Sequence, residues 1–191
     1  MPRAADNAAA IVAAARVVIA ERGPEKLRLA AVAEAAGVSR PTLYRWFPTK
    51  EDLLAAIAQA EIARFDEGLA RLVAAQRTPA RRLDAALRYL ITYLDGQLGT
   101  DPVGVDPTFA LRTLNVSMPE QVTVLVRLLG DAMDLVPAVA RGQLTREQAA
   151  EVFLRLTYSH YLIPGADPEQ MLATIRAAVG LPRRSLTRAA G

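Results

Sequence analysis

Residues 29–50 constrain the fold most strongly, because their pattern predicts two short helices joined by a tight turn. The first helix carries apolar residues at helical spacing, at Leu29, Val32, Ala33 and Ala36. Such a stripe is typical of a helix that buries one face. Gly37 follows where this helix must end, since glycine reaches the left-handed backbone of a helix C-cap without steric cost.

The second helix is predicted to begin after Ser39, whose side-chain oxygen can cap a helix N-terminus. Pro41 fits its first turn, where backbone amide hydrogens lack partners within the helix. Leu43 and Phe47 lie four residues apart and give this helix an inward face. The pattern indicates a helix-turn-helix. A plain helical hairpin with a solvated basic face would share much of the same pattern.

A third helix is predicted to begin at Thr49, which can cap it together with Asp52 in a shorter form of the capping box. Lys50 then lies in a first turn, where the helix dipole disfavours a cation. A lysine at this position fits a nearby anion such as a phosphate, which the free amide hydrogens would also help to bind. A surface lysine with no role is the alternative.

Residues 36–53 have the sequence Ala-Gly-Val-Ser-Arg-Pro-Thr-Leu-Tyr-Arg-Trp-Phe-Pro-Thr-Lys-Glu-Asp-Leu. Together with a predicted helix over 10–22 and the glycine that follows it, this segment resembles the signature of the tetracycline-repressor (TetR) family of bacterial transcriptional regulators. The resemblance extends over about residues 8–57. It implies a helix-turn-helix DNA-binding domain over 1–48 and an effector-binding and dimerisation domain over 49–181. Residues 182–191 form a basic tail of small residues that we expect to be disordered.

The resemblance also implies which side chains contact double-stranded DNA. These are Arg28, Ser39, Arg40, Pro41, Thr42, Tyr44, Arg45, Trp46 and Lys50. Arg40 and Thr42 are best placed to contact base edges, and most of the others are expected to hold the DNA backbone. Two positions depart from the family pattern. Arg28 stands where the family usually has Ser or Thr capping its second helix, and Trp46 replaces a more usual His or Tyr.

Composition favours a helical, non-secreted protein and excludes several kinds of site. The chain has 191 residues, 52% of them hydrophobic, and much of that fraction is alanine, which favours helix. The absence of cysteine excludes disulfides and thiolate chemistry, and a single histidine argues against a metal site, so no cofactor or metal is expected. Charged residues interrupt the N-terminal apolar residues, and no apolar run is long enough to span a bilayer. We therefore expect a cytoplasmic protein with no membrane partner.

Positive charge is concentrated in the first 50 residues. They contain eight basic and four acidic residues, a net charge of +4, whereas the remaining residues have a net charge of −1. An excess of basic residues in the segment with the helix-turn-helix is what binding to phosphates requires. An excess of this size is also ordinary for a protein surface, so the charge alone decides little.

The rest of the chain predicts further helices and no strands, which makes an all-α fold of about nine helices. The predicted fourth and fifth helices cover 50–76 and 79–98, and a loop covers 96–107. A short sixth helix is predicted over 108–114. Ser117 and Glu120 predict a capping box for a seventh helix that Pro137 ends or kinks. Thr145 and Gln148 predict the same box for an eighth helix reaching residue 163, and a ninth begins at Pro168 after its cap Asp167.

The resemblance implies that these later helices form a small-molecule pocket and a homodimer interface, the latter built from the last two helices. Candidate pocket residues for a mostly apolar effector are Tyr89, Tyr93, Phe109, Met118, Met133 and Tyr158. Candidate interface residues are Phe153, Leu156, Tyr161, Leu172, Ile175 and Val179. For every one of these residues, ordinary core packing is the alternative.

The sequence thus predicts a dimeric transcriptional regulator, in the family's usual mode a repressor, which binds a palindromic operator and is released by a small effector. The alternative is a constitutive or architectural helix-turn-helix protein with no effector. An enzyme is disfavoured, because the chain has no cysteine nucleophile, no glycine-rich phosphate loop and only one histidine.

Overall fold

A computed structural model of the chain describes residues 4–22, 27–97, 107–163 and 167–182. In these ranges the chain is helical and contains no strand, which confirms the predicted all-α fold. The helices are α1 (Ala4–Arg22), α2 (Leu29–Ala35), α3 (Arg40–Trp46), α4 (Lys50–Ala74), α5 (Pro79–Gln97), α6 (Pro107–Leu129), α7 (Pro137–Ala140), α8 (Arg146–Leu162) and α9 (Pro168–Ala178), with a 3₁₀ helix at Gly130–Leu135. No helix within these ranges has the length and apolarity that crossing a membrane requires.

The chain forms two compact units. Unit 1 contains the described parts of residues 1–66 and 98–115, and unit 2 those of 67–97 and 116–191. Two of the three boundaries between the units fall inside α4 and α6, and the third follows the end of α5 at Gln97. The sequence predicts a different boundary, between a DNA-binding domain that ends at residue 48 and an effector-binding domain that begins at residue 49. That division by function stays a prediction.

Unit 1 is built around a core to which α1, α2, α3 and the start of α4 all contribute. Its fully buried side chains include Ile11, Val32, Leu43 and Leu53, one from each of these helices. Because α2 and α3 have only seven residues each, neither would be stable alone, and their order depends on this shared core.

Unit 2 is organised around α5, which packs against α8, α9 and the 3₁₀ helix. The buried face of α5 includes Leu83, Leu87, Leu90 and Ile91. Two ion pairs join α5 to α9, Asp84 with Arg176 and Arg88 with Glu169. At the start of α8, Arg146 donates two hydrogen bonds to Asp134, at 2.9 and 2.6 Å, and these bonds lower the pKa of that carboxyl below its usual value.

The prediction of separate sixth and seventh helices is wrong. One helix, α6, runs through both segments, so Ser117 is not an N-cap but a buried residue in the middle of a helix. Pro119 costs this helix one hydrogen bond without breaking it. The buried residues Ser117, Gln121, Leu125 and Leu129 follow one another at intervals of four, so a single packed face continues past the proline and holds the helix together.

The predicted end of that helix at Pro137 is also wrong. Helix α6 ends at Leu129, because Gly130 takes a positive φ of 52° and a tighter 3₁₀ turn follows. Further along, the predictions of helix ends are confirmed. Thr145 and Gln148 form the capping box of α8, and the Asp167 side chain accepts from the Gln170 amide at the start of α9. Most of the predicted 96–107 loop and residues 183–191 of the predicted tail lie outside the described residues.

Candidate nucleic-acid interface

The turn between α2 and α3 has the geometry that its residues predict. Gly37 takes a φ of 66°, and the Val38 amide donates to the Ala33 carbonyl at 3.0 Å, which closes the C-terminus of α2. Ser39 is extended, and its hydroxyl accepts from the Thr42 amide at 3.2 Å as the N-cap of α3. Each helix end in this turn is therefore fixed by local hydrogen bonds, and the direction of α3 follows from them.

The inward face of α3 is the predicted one. Leu43 is fully buried and Phe47 nearly so, and both belong to the core of unit 1. Truncation of such side chains leaves a cavity that surrounding residues fill only in part. The two residues therefore fix which side of α3 faces away from the protein.

The rest of the surface of α3 is exposed and basic. Arg40, Pro41, Tyr44 and Arg45 are all exposed, and Thr42 is half-buried. Tyr44 retains 49% of its accessible surface, which is unusual for a tyrosine with a structural role. Among the residues that the structure describes, neither arginine forms an ion pair with a carboxylate. Two free guanidinium groups and an aromatic ring thus occupy one short helix face.

Trp46 does not share this exposure. Its side chain is half-buried and packs against the core of unit 1. The indole Nε1 is buried and has no hydrogen-bond partner within the described parts of the chain. In this conformation the Nε1 donor is not accessible on the exposed surface of α3. The ring instead packs against the core of unit 1 and helps to hold α3 in place.

The start of α4 presents a second basic group next to α3. The Thr49 amide donates to the Asp52 carboxylate at 3.0 Å, and the Asp52 amide donates to the Thr49 hydroxyl at 3.1 Å. This reciprocal pair confirms the predicted cap. Lys50 is half-buried in the first turn and carries no carboxylate partner in the described ranges.

Arg28 precedes α2 as an exposed, extended residue, and its side chain makes no capping hydrogen bond. The departure from the family pattern at this position therefore has a structural counterpart, since the usual Ser or Thr cap is missing. The guanidinium group has no partner within the ranges that the structure covers, and it adds a further free positive charge to unit 1.

The candidate effector residues lie in different surroundings within unit 2. Met133 is fully buried in the core, whereas Tyr89 and Tyr93 are half-buried with ring centroids 5.1 Å apart. The Tyr158 hydroxyl donates to Gln121, which joins α8 to α6, and Met118 is half-buried on α6. The side chain of Phe109 lies outside the described residues. Tyr89 and Tyr93 are therefore paired on α5, Tyr158 is bonded to α6, and Met133 belongs to the core.

Three of the six candidate interface residues belong to the core of unit 2. Phe153, Leu172 and Ile175 are almost completely buried in unit 2, because α5, α8 and α9 pack together over them. Leu156 and Val179 are half-buried, and the Tyr161 side chain lies outside the described part. Sequence analysis missed the exposed apolar residues of the same region, Val152 and Ile163, which retain 36% and 75% of their surface.

A cavity of about 310 Å³ opens at the surface between α7, α8 and the end of α9. Its wall is mostly apolar and includes Val136, Leu144, Val152, Phe153 and Val179, with Arg141 as the one charged residue. None of the candidate effector residues lines it, whereas two of the candidate interface residues do. No sequence motif indicates this cavity, since it forms where α7, the first half of α8 and the C-terminal end of α9 come together.

Comparison with known proteins agrees with this geometry. Residues 11–57 match the family model described as bacterial regulatory proteins, tetR family. The chain is 30% identical over 139 residues to the HTH-type transcriptional repressor KstR of Mycobacterium tuberculosis, which covers 72% of this chain and 60% of that protein. It is 25% identical over 187 residues to the HTH-type transcriptional regulator EthR of Mycolicibacterium smegmatis, covering 91% and 84% of the two chains.

A solved structure of a TetR/AcrR family regulator from Thermobifida fusca has the same fold, with a TM-score of 0.63 at 21% identity over 94% of this chain and all of that one. The helix-turn-helix, the family match and these relatives define the class of proteins to which the chain is similar, the helical regulators of transcription. The chain belongs to the TetR family of bacterial regulatory proteins. Its named relatives are regulators of transcription and not enzymes, and the match to KstR spans about 60% of that repressor's length.

Proposed function

We propose that this protein is a homodimeric transcriptional repressor that binds a palindromic operator through α3 and is released by a small molecule bound in unit 2. The observation that carries the proposal is the exposed surface of α3, which presents two arginines without a carboxylate partner in the described ranges, while Leu43 anchors the same helix in the core. Neither a core helix nor a plain surface hairpin needs this arrangement. A major groove suits it, since an α-helix fits the width of the groove and arginine can bind either a guanine edge or a phosphate.

Within this proposal the contacts to DNA divide into two groups. Arg40 and Thr42, in the first turn of α3, contact base edges, and Pro41 lies between them. Arg28, Ser39, Tyr44, Arg45 and Lys50 surround that turn and hold the phosphate backbone. Trp46 acts on DNA only through the position of α3, because its indole nitrogen is buried.

Replacement of Lys50 by glutamine tests the phosphate contacts. We expect the variant to bind every DNA sequence more weakly. The plot of log K against log salt concentration should also become less steep, by about 0.9 for each protomer, because one phosphate contact is lost. The measurement is fluorescence anisotropy of labelled duplexes over a range of salt concentrations. Arg127→Gln, an exposed change of the same charge on α6, is the matched control. An unchanged slope for the Lys50 variant would remove this residue from the interface.

A homodimer is proposed because one recognition helix covers only a few base pairs. Two copies about 34 Å apart contact successive major grooves of a palindrome and gain both affinity and specificity. The exposed apolar residues of α8 and its C-cap, Val152 and Ile163, provide surface for such a contact. The buried Phe153, Leu172 and Ile175 support this surface from inside.

Introduction of a charge at Val152 tests the interface. We expect Val152→Glu to shift the protein from dimer to monomer at micromolar concentration, because a carboxylate would be buried against a second apolar surface without a partner. Sedimentation velocity measures the change. Val17→Glu on α1 is the control, since Val17 is an exposed valine outside the proposed interface. A Val152 variant that remains dimeric would place the interface elsewhere.

The effector is proposed to bind among Tyr89, Tyr93, Met118 and Tyr158, whose half-buried side chains combine aromatic surface with hydroxyl groups. To act as a switch, this molecule must bind the DNA-competent and DNA-incompetent states with different affinities, since equal affinity shifts no equilibrium. The chemistry of these side chains, aromatic surface with hydroxyl groups, would suit an apolar small molecule that carries a hydrogen-bonding group.

A further inference from the structure

The two hydroxyl groups at the start of α3 are paired with each other. The Ser39 and Thr42 side-chain oxygens lie 2.8 Å apart, and the Ser39 oxygen also accepts from the Thr42 amide at 3.2 Å. The hydroxyl of Thr42 is therefore turned back toward the N-cap. Its methyl group is the other branch at the same Cβ atom, so by tetrahedral geometry it takes a different direction from the hydroxyl that faces Ser39.

This arrangement decides which part of Thr42 is available to a ligand. Whichever of the two hydroxyls donates, the contact holds the Thr42 oxygen beside Ser39, and moving that oxygen toward a group on DNA would break this hydrogen bond for each new one made. A methyl group has no such competing partner, and it loses contact with water when it meets an apolar surface. In the major groove the apolar surface on a base edge is the C5 methyl of thymine.

We propose that Thr42 contacts the C5 methyl of a thymine in each half-site through its own methyl group, and that its hydroxyl serves to fix the side chain against Ser39. The inference rests on the proposed function, since it assumes that α3 lies in the major groove. It assigns Thr42 to sequence specificity through apolar contact. A contact of the Thr42 hydroxyl with a phosphate is the competing assignment, and it predicts no dependence on the thymine methyl.

The test removes the methyl group from the DNA, and so requires no change in the protein. A duplex selected by the full chain from a random library is synthesised with deoxyuridine in place of each thymine in turn. Deoxyuridine keeps every hydrogen-bonding group and lacks only the C5 methyl. We expect one position per half-site at which the substitution weakens binding about fourfold, which corresponds to burial of one methyl group.

Two protein variants complete a double-mutant cycle with that DNA change. Thr42→Ser keeps the hydroxyl and the backbone cap but lacks the methyl, so it should bind the thymine and deoxyuridine duplexes equally at that position. Thr42→Val keeps a methyl group, and its backbone amide can still donate to the Ser39 hydroxyl oxygen. This variant should therefore retain the preference for thymine. Thermal unfolding of all three proteins checks that α3 is still formed.

The outcomes separate this inference from the proposed function. A wild-type chain that binds no duplex overturns both. A chain that binds a specific duplex but tolerates deoxyuridine at every position overturns only the assignment of Thr42. A thymine preference that persists in Thr42→Ser also overturns it, because the contact would then come from another residue.

Discussion

Replacement of Arg40 by alanine is expected to weaken binding to the selected operator by about 1–3 kcal/mol for each half-site, or roughly 5-fold to 150-fold in affinity. Arg40 begins α3, is exposed and has no carboxylate partner in the described part of the chain, so its guanidinium group is free to bind a guanine edge through two hydrogen bonds. Binding to random DNA should weaken much less. Competition titrations with operator and random duplexes measure both quantities.

The control for this experiment is Arg127→Ala, which removes an exposed arginine from α6 and leaves α3 intact. It should alter neither affinity by more than a small factor. If Arg40→Ala weakened binding to operator and random duplexes equally, Arg40 would be a phosphate contact. The sequence preference of α3 would then have to come from other residues.

Replacement of Leu43 by alanine is expected to lower the free energy of unfolding of unit 1 by about 2–5 kcal/mol. Leu43 is fully buried at the centre of a seven-residue helix, and α3 has no other fully buried residue. The cavity would loosen the contact of α3 with the core, and a helix this short cannot remain ordered on its own. Thermal unfolding and amide hydrogen exchange in α3 measure the effect.

Val17→Ala is the matched truncation, because Val17 is an aliphatic residue of the same unit with more than half of its surface exposed. It should change stability by less than about 0.5 kcal/mol. If Leu43→Ala were equally mild, α3 would owe its order to its caps at Ser39 and Phe47, and the account of its inward face would fail.

The residues around α3 could be predicted from the sequence because local chemistry fixes them. A glycine at a left-handed position, a serine cap and a proline in the first turn each act within a few residues of the chain. The same holds for Thr49 with Asp52 and for Thr145 with Gln148, where a cap and its partner are three residues apart.

Features that depend on distant parts of the chain could not be predicted in this way. Ser117 and Glu120 have the spacing of a capping box. Ser117 nevertheless lies inside α6, because the packed face of that helix continues on both sides of it. Phe153 and Ile175 form apolar stripes that suit a core or an interface equally well. Which of the two they join depends on how the helices pack, and in unit 2, where α5 packs against α8 and α9, both are almost completely buried.

Trp46 illustrates the same limit within the candidate site itself. Its place in the motif suggests a contact with the DNA backbone, whereas its ring packs inward and buries its nitrogen. A large aromatic side chain gains more from covering the core than a smaller polar residue at this position would gain. The pairing of Ser39 with Thr42 could likewise not be inferred from the sequence, because it depends on the rotamers of both side chains.

The central claim is that α3 binds the major groove twice in each dimer. Selection of duplexes from a random library by the full chain at low salt tests it most directly. The account predicts enrichment of one sequence with two inverted half-sites, about 10 base pairs from centre to centre or a multiple of that distance, which Arg40→Ala no longer enriches. A folded wild-type protein that enriches no sequence, or an enriched sequence on which Arg40→Ala has no effect, would contradict it.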